Sequence, residues 1–310
     1  MDFGAINPAV LIASLMVAAV PIILAAIGEL VVEKSGVLNL GVEGMMIVGA
    51  IGGFVTAVTT GSPLLGFLGG AAAGAALSVV FALLTQFLLT NQVATGLALT
   101  LFGLGLSSLA GQGYNGIKPP ATHALPFGPL AEIPFLGRVL FGHDWVVYFS
   151  VAVVAATWWV LGRTRLGLVI RAVGENHEAA HSLGYKVTRI RFGCILFGGA
   201  MAGMGGAYVS LVRVPQWVDG ITSGAGWIAL AIVVFASWRP WRVLLGAWLF
   251  GGITVLQLNL QAAGSAIPVE YLSMAPYLIT ILVLVIMSSG RGRAALSAPA
   301  SLGQNFHASH

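Results

Sequence analysis

Residues 8–27 run for twenty positions without a charged side chain, and eight more long apolar segments follow them. A spanning α-helix needs about 20 predominantly apolar residues, because the hydrocarbon core of a bilayer is about 30 Å thick and offers the backbone no water to bond. On that criterion the chain predicts helices over 8–27, 41–60, 63–89, 91–110, 144–161, 192–212, 224–238, 243–260 and 274–288. A charge at the centre of such a helix costs about 2.5 to 3.5 kcal/mol, and charged residues are accordingly only 8% of the chain against 58% apolar. The predicted fold is all-α, a polytopic membrane helical bundle of about nine transmembrane helices forming one domain over residues 1–290. Residues 291–310 are small and polar and read as an unstructured tail. Met1 to Ala9 carry no Lys/Arg-rich leader and no small-residue cleavage site, so the first span reads as retained rather than as a removed signal.

Orientation follows from the basic residues of the short loops. Eleven of the 14 Lys and Arg fall on one face when loops alternate: Lys34, Arg163, Arg165, Arg171, Lys186, Arg189, Arg191, Arg239, Arg242, Arg291 and Arg293. That face is read as cytoplasmic, with the N-terminus outside and the C-terminus inside. Trp145 and Trp217 then mark the outer interface, and Trp158, Trp159, Trp238 and Trp241 the inner one. The sequence pI of about 9.5 is explained by this inner-face excess; no basic run is interleaved with aromatics, so no nucleic-acid partner is expected. The single cysteine, Cys194, lies in an apolar run and reads as a small core residue.

Two Gly-rich breaks interrupt the apolar pattern. The first runs from Gly28-Glu29 through Ser35-Gly36-Val-Leu-Asn39-Leu-Gly41-Val-Glu43-Gly44, and the second is Asp219-Gly220-Ile-Thr-Ser-Gly224-Ala-Gly226-Trp227. Non-helical backbone at membrane depth is tolerated only where it is buried in protein or lines a cavity, and paired breaks in the two halves of a transporter point to its solute path. Neutral polar groups open the fourth span at Asn91, Gln92 and Thr95 and close the eighth at Gln257, Asn259 and Gln261. They suit a polar, uncharged solute, and they serve equally as interhelical hydrogen-bond glue. The candidate path residues are Asn39, Glu43, Asn91, Gln92, Thr95 and Trp227.

On the inner face, Gly174, Glu175, Asn176, Glu178, Ala179, Ala180, Leu183 and Gly184 belong to a stretch that predicts one short helix of about two and a half turns, suited to docking in a partner's groove. The same stretch contains His177-Glu178-Ala179-Ala180-His181, which matches the HExxH zinc-protease pattern. A catalytic zinc needs a third protein ligand, and no acidic or histidine cluster follows on the inner side, so no metal is expected and the zinc membrane protease stands as a remote alternative. No catalytic residues are assigned. No Gly-x-x-x-x-Gly-Lys-Ser/Thr loop occurs, so a transporter of this sequence draws its energy from another subunit or an ion gradient.

The motifs from Gly28 to Gly44, Asn91-Gln92-Val-Ala-Thr95-Gly96, Arg171-Ala-Val-Gly174-Glu175-Asn176 with Glu178-Ala179-Ala180 and Leu183-Gly184, and Gly224-Ala-Gly226-Trp227-Ile-Ala-Leu-Ala resemble the permeases of the branched-chain amino acid, ribose and nucleoside importer superfamily. The resemblance spans nearly the whole chain, and Ser-Gly-Val-Leu-Asn-Leu-Gly-Val-Glu-Gly looks most like the simple-sugar and nucleoside branch. It implies a type II ATP-binding-cassette importer in the bacterial inner membrane: two permease subunits, here a heterodimer by default, an ABC ATPase that binds the ATP and Mg, and a periplasmic or lipid-anchored solute-binding protein. The chain itself would hold no cofactor and catalyse no reaction. The Gly174–Gly184 stretch would be the coupling helix, in which this chain has His177 and His181 where relatives commonly have Pro and Arg. A branched-chain amino acid or urea permease is the alternative within the superfamily.

Overall fold

The computed structural model describes residues 7–262, 268–288 and 298–307. In chain order its helices are α1 Pro8–Lys34, α2 Val42–Thr60, α3 Pro63–Ala82, α4 Gln92–Gly111, α5 Leu136–Leu140, α6 Trp145–Arg163, α7 Arg165–Glu175, α8 His177–Ser182, α9 Val187–Tyr208, α10 Ala225–Phe235, α11 Pro240–Ala262 and α12 Val269–Ser288. Short π turns extend α3 over Leu83–Phe87 and α9 over Val209–Arg213. Among the described residues, seven helices are long and apolar enough to cross a membrane, namely α1, α2, α3, α4, α6, α9 and α11. The two remaining predicted spans correspond to α12 and to α10, which is apolar but only 11 residues long.

Helix ends follow local chemistry. Asn91 caps α4 by accepting from the Ala94 N–H at 3.0 Å, and Asp144 caps α6 by accepting from Val146 N–H at 2.9 Å. Each side chain satisfies a donor that the first turn leaves without an intrahelical partner. Asp144 also accepts from the buried Tyr208 hydroxyl at 2.8 Å, which ties the outer end of α9 to α6.

The core is built around α9, which packs against α1, α2 and α3, while α1 also packs against α6, α10 and α11. Close helix approach explains why glycine is so frequent here. A Cβ added to Gly74 of α3 would fall 2.7 Å from the Cα of Gly203 in α9. Lys34 interacts electrostatically with Arg171, Glu175 and Arg239, so the loops read as cytoplasmic do meet on one face.

Two tryptophans depart from the interfacial reading. Trp217 is 2% exposed and Trp238 6%; both are packed into the protein because the chain re-enters the bundle beside them, whereas Trp158 and Trp241 pair near the surface at 6.2 Å between rings. The tail also differs from its prediction over residues 298–307, which are held against the cytoplasmic loops by hydrogen bonds from Ser301 to Gly174 O at 2.9 Å and from Gly303 to Gly36 O at 3.1 Å. The rest of the predicted tail, 291–297 and 308–310, lies outside the described residues.

The packing at Gly74 gives a direct stability expectation. Gly74→Leu forces α3 away from α9 and should destabilise the detergent-solubilised protein by about 1–3 kcal/mol or more. Gly105→Ala, where an added Cβ meets nothing within 4 Å, should leave the thermal unfolding temperature unchanged or slightly raised.

Candidate functional site

The first Gly-rich break folds back into the bundle. After α1 ends at Lys34, Gly36 takes a positive φ of 86° that only glycine adopts without strain, and the chain returns beside the helix it has just left. The Asn39 N–H donates to Glu29 Oε1 at 3.2 Å. Glu29 lies five residues before the end of α1, about 7–8 Å along the helix axis at about 1.5 Å per residue, so the chain leads into α2 from beside the body of α1 and not from beyond its end. The Asn39 side chain accepts from Gly41 N–H at 2.9 Å and donates to the Met45 sulfur at 3.4 Å. Asn39 is fully buried, and its role is to shape this re-entrant loop. Glu29 is buried as well, and its Oε2 has no hydrogen-bond partner among the described residues.

The second break meets the first. Glu43, in the first turn of α2, accepts from the Thr222 hydroxyl at 2.6 Å and from Gly224 N–H at 3.0 Å through Oε1, and from Gly226 N–H at 2.6 Å through Oε2. The last two N–H groups belong to the N-terminus of α10, so a carboxyl from another helix supplies the cap that the sequence at Gly224 lacks. Gly226 is required by proximity: a Cβ there would stand 2.6 Å from the Glu43 Cα. Eleven residues make α10 about 16 Å long, half a bilayer core. Just past its other end the Trp238 indole donates to Glu33 Oε2. The half-helix is thus held at both ends by carboxyls that flank the first break. This corrects the reading of 224–238 as a full span: the helix is 11 residues long, and Thr222 to Gly226 lie against Glu43.

Beside this junction is a cavity of about 240 Å³ lined by Arg213, Thr222, Ser223, Thr254, Gln257 and Tyr277 together with apolar side chains that include Ile22 and Phe250. The Phe250 and Tyr277 rings are 6.3 Å apart, edge to face. Hydroxyls, an amide, a guanidinium and an aromatic pair can bind a polar molecule that carries a ring. Thr222 joins the cavity to the break, because it lines the one and bonds Glu43 in the other.

The predicted path residues therefore divide. Glu43 forms the junction behind the cavity, and Asn39 shapes the loop that leads to it. Asn91 caps α4, and Thr95 bonds the Thr90 hydroxyl at 2.8 Å. Gln92 is buried, accepting from Leu38 N–H at 2.8 Å and donating to Asn305 Oδ1 at 3.1 Å. Trp227 is 38% exposed on α10 and does not line the cavity. Arg213, Thr254, Phe250 and Tyr277 were not singled out from sequence; Thr222 lay inside the second break, which was the available signal.

On the face read as cytoplasmic the predicted single helix is two. Gly174 and Glu175 end α7, and Asn176 breaks the chain and caps α8 by accepting from Ala179 N–H at 2.9 Å. Ala180 and Gly174 face inward; Ala180 is 2% exposed and clusters with Val173, Val187 and Phe306. The outward face is Glu178, Ala179 and Leu183, the last 78% exposed. Phe306 lies between the two histidines, 5.4 Å from the His177 ring and 5.2 Å from that of His181, where the zinc-protease reading needs an ion. His177 Nδ1 also accepts from the buried Arg191 guanidinium at 3.3 Å, since guanidinium only donates. Burial, and then the Arg191 charge, push the His177 pKa below its ordinary 6.5, with Glu178 opposing.

Comparison with known proteins agrees with this architecture. Residues 11–286 match the family model described as branched-chain amino acid transport system / permease component. The chain is 41% identical to the "Putative glucose ABC transporter permease protein TsgC13" of Haloferax volcanii, over 94% of this chain and 95% of that one. It is 34% identical to the nucleoside ABC transporter permease protein NupC of Lactococcus lactis, over 89% and 92%. A solved ABC transporter in an inward-facing conformation shares the fold at a TM-score of 0.50 and 15% identity, covering 89% of this chain and 85% of that one.

Two measurements probe the geometry. Trp238→Phe removes the donor to a buried carboxyl, at a cost of about 1–3 kcal/mol, and Glu33→Gln added to it should recover part of the loss in thermal unfolding. For His177 the folded pKa is depressed, so its contact with Arg191 contributes stability fully above pH 6.5, and that contribution is lost as pH falls through the lowered folded value. The unfolding temperature of the parent should therefore drop more than that of His177→Gln when pH is lowered from about 7.5 to 5. Parallel curves would show that the histidine is not engaged.

Proposed function

The chain belongs to the permease component family of the branched-chain amino acid transport system, and on that premise we propose that it imports a nucleoside or simple sugar by alternating access. The observation that carries the solute class is the cavity, in which the Phe250 and Tyr277 rings stand beside Arg213, Thr222, Thr254 and Gln257. Rings of that kind stack on a nucleobase or the face of a sugar, and the hydroxyls and amide bond its edges. The relatives named for glucose and for nucleosides support the same class.

In this reading the chain works in a cytoplasmic membrane, the bacterial inner one, beside a second permease and below a solute-binding protein. An ABC ATPase partner binds ATP and Mg and hydrolyses the ATP. The exposed face of α8, with Glu178, Ala179 and Leu183, docks in that ATPase, and nucleotide-driven movement of α8 tilts the half-helix α10 against α1. Glu43 is the hinge contact, because it joins the two breaks that must move together.

The test uses the complete importer in proteoliposomes with its binding protein, offering guanosine, glucose and leucine separately. ATP-dependent uptake of guanosine or glucose but not leucine is the expected result; uptake of leucine alone would refute the solute assignment. Leu183→Glu should lower ATPase co-purification and uptake about tenfold, the scale of losing about 1.4 kcal/mol of interface contact.

A further inference from the structure

We propose that the C-terminal segment 298–307 is a strut of the coupling apparatus, transmitting displacement of α8 to the re-entrant loop that carries Asn39. The proposal rests on α8 being the helix that meets the ATPase. A six-residue helix has little stability of its own, and the inner face of α8 offers only His177 and Ala180 as buried contacts. Those residues meet Phe306, which is 8% exposed and packed against the His177 and His181 rings, together with Val173 of α7, Val187 of α9 and the Arg191 guanidinium. A push on α8 therefore reaches the C-terminal segment through Phe306, alongside the direct contacts of α8 with α7 and α9.

From Phe306 the segment is bonded on both sides to the elements that shape the first break. Ser301 N–H donates to Gly174 O at 2.9 Å, and its hydroxyl to Glu175 O at 3.2 Å, at the end of α7. Gly303 N–H donates to Gly36 O at 3.1 Å, in the turn that follows α1. Gln304 O accepts from Arg191 Nη1 at 2.9 Å, and the same guanidinium donates through Nε to Ser35 O at 3.1 Å. Asn305 donates to Leu89 O at 2.7 Å and accepts from Gln92, whose own carbonyl oxygen holds the Leu38 N–H. The connection is continuous: α8 to Phe306, Phe306 to Gln304 and Asn305, these to Arg191 and Gln92, and these to Ser35 and Leu38. Asn39 follows Leu38 in the chain, and four residues on stands Glu43.

Arg191 fits no simpler role. It is fully buried, and a buried guanidinium is retained only where its donors are satisfied. Its acceptors come from three separate parts of the chain, two carbonyls and an imidazole, and all three lie along this connection. An arginine that only filled space would leave these donors to one element or to none.

The experiment compares the complete importer in proteoliposomes with versions in which the chain ends at residue 297 or carries Phe306→Ala or Phe306→Leu. Three quantities are read: ATPase co-purification, ATP hydrolysis, and the change in amide hydrogen exchange over residues 36–41 when ATP and vanadate are added. The strut predicts that the truncated and Phe306→Ala importers keep their ATPase and hydrolyse ATP. Their exchange response over 36–41 should fall about fivefold, with Phe306→Leu in between. An undiminished exchange response in the truncated importer would overturn the proposal. So would loss of the ATPase from all three variants, which would make the segment a scaffold for α8 and not a transmitter. If Leu183→Glu leaves ATPase association intact, the coupling role of α8 itself fails, whatever the strut variants do.

Discussion

A helix that begins inside a membrane exposes unpaired N–H groups where no water can reach them, and the whole architecture of this chain depends on how that is resolved at α10. The resolution is Glu43, whose two carboxyl oxygens accept from Gly224 and Gly226 N–H and from the Thr222 hydroxyl. Each such group left unpaired in a low-dielectric interior costs about 1–3 kcal/mol. The cap therefore decides whether the second break can exist at this depth at all. It also requires α2 to start inside the bundle, which in turn requires the chain to double back from Lys34 to Gly41. The break at 35–41 and the break at 214–224 are two halves of one junction.

The junction also fixes the half-helix beside the cavity. α10 is short, is anchored by Glu43 at one end and by Glu33 through Trp238 at the other, and borders the cavity through Ala225 and Ile228. Tilting it alters the cavity without unpacking α2, α3 and α9, whose glycine contacts are too close to slide apart cheaply. At its other side the first break is bonded to residues 298–307, which pack on α8 through Phe306.

Much of this was legible in the sequence, for reasons that can be named. Span positions follow from hydropathy because lipid imposes length and apolarity, and the nine predicted segments each overlap one of the observed helices. Both breaks were visible because glycine, asparagine and carboxyl residues are costly in a span unless needed there. What was not legible was pairing at a distance. Nothing in the string places Glu43 against Thr222, 179 positions away, so α10 read as a full span. Composition also misled at the tail, where a small, polar stretch holds Phe306 against two histidines and its polar residues bond the neighbouring loops, fixing residues 298–307 to the protein. Ala180 read as a docking residue because periodicity identifies an apolar face without saying which side that face meets.

The central claim is that Glu43 holds the two breaks together, and the most direct measurement is a double-mutant cycle on the contact. Thermal unfolding in detergent would be followed for the parent, Glu43→Ala, Thr222→Val and the double variant. The account predicts strong non-additivity: Thr222→Val lowers the unfolding temperature in the parent but adds little once Glu43 is gone, a coupling of about 1 kcal/mol or more. Additive effects of the two substitutions would contradict the account, since residues that do not share a contact act independently.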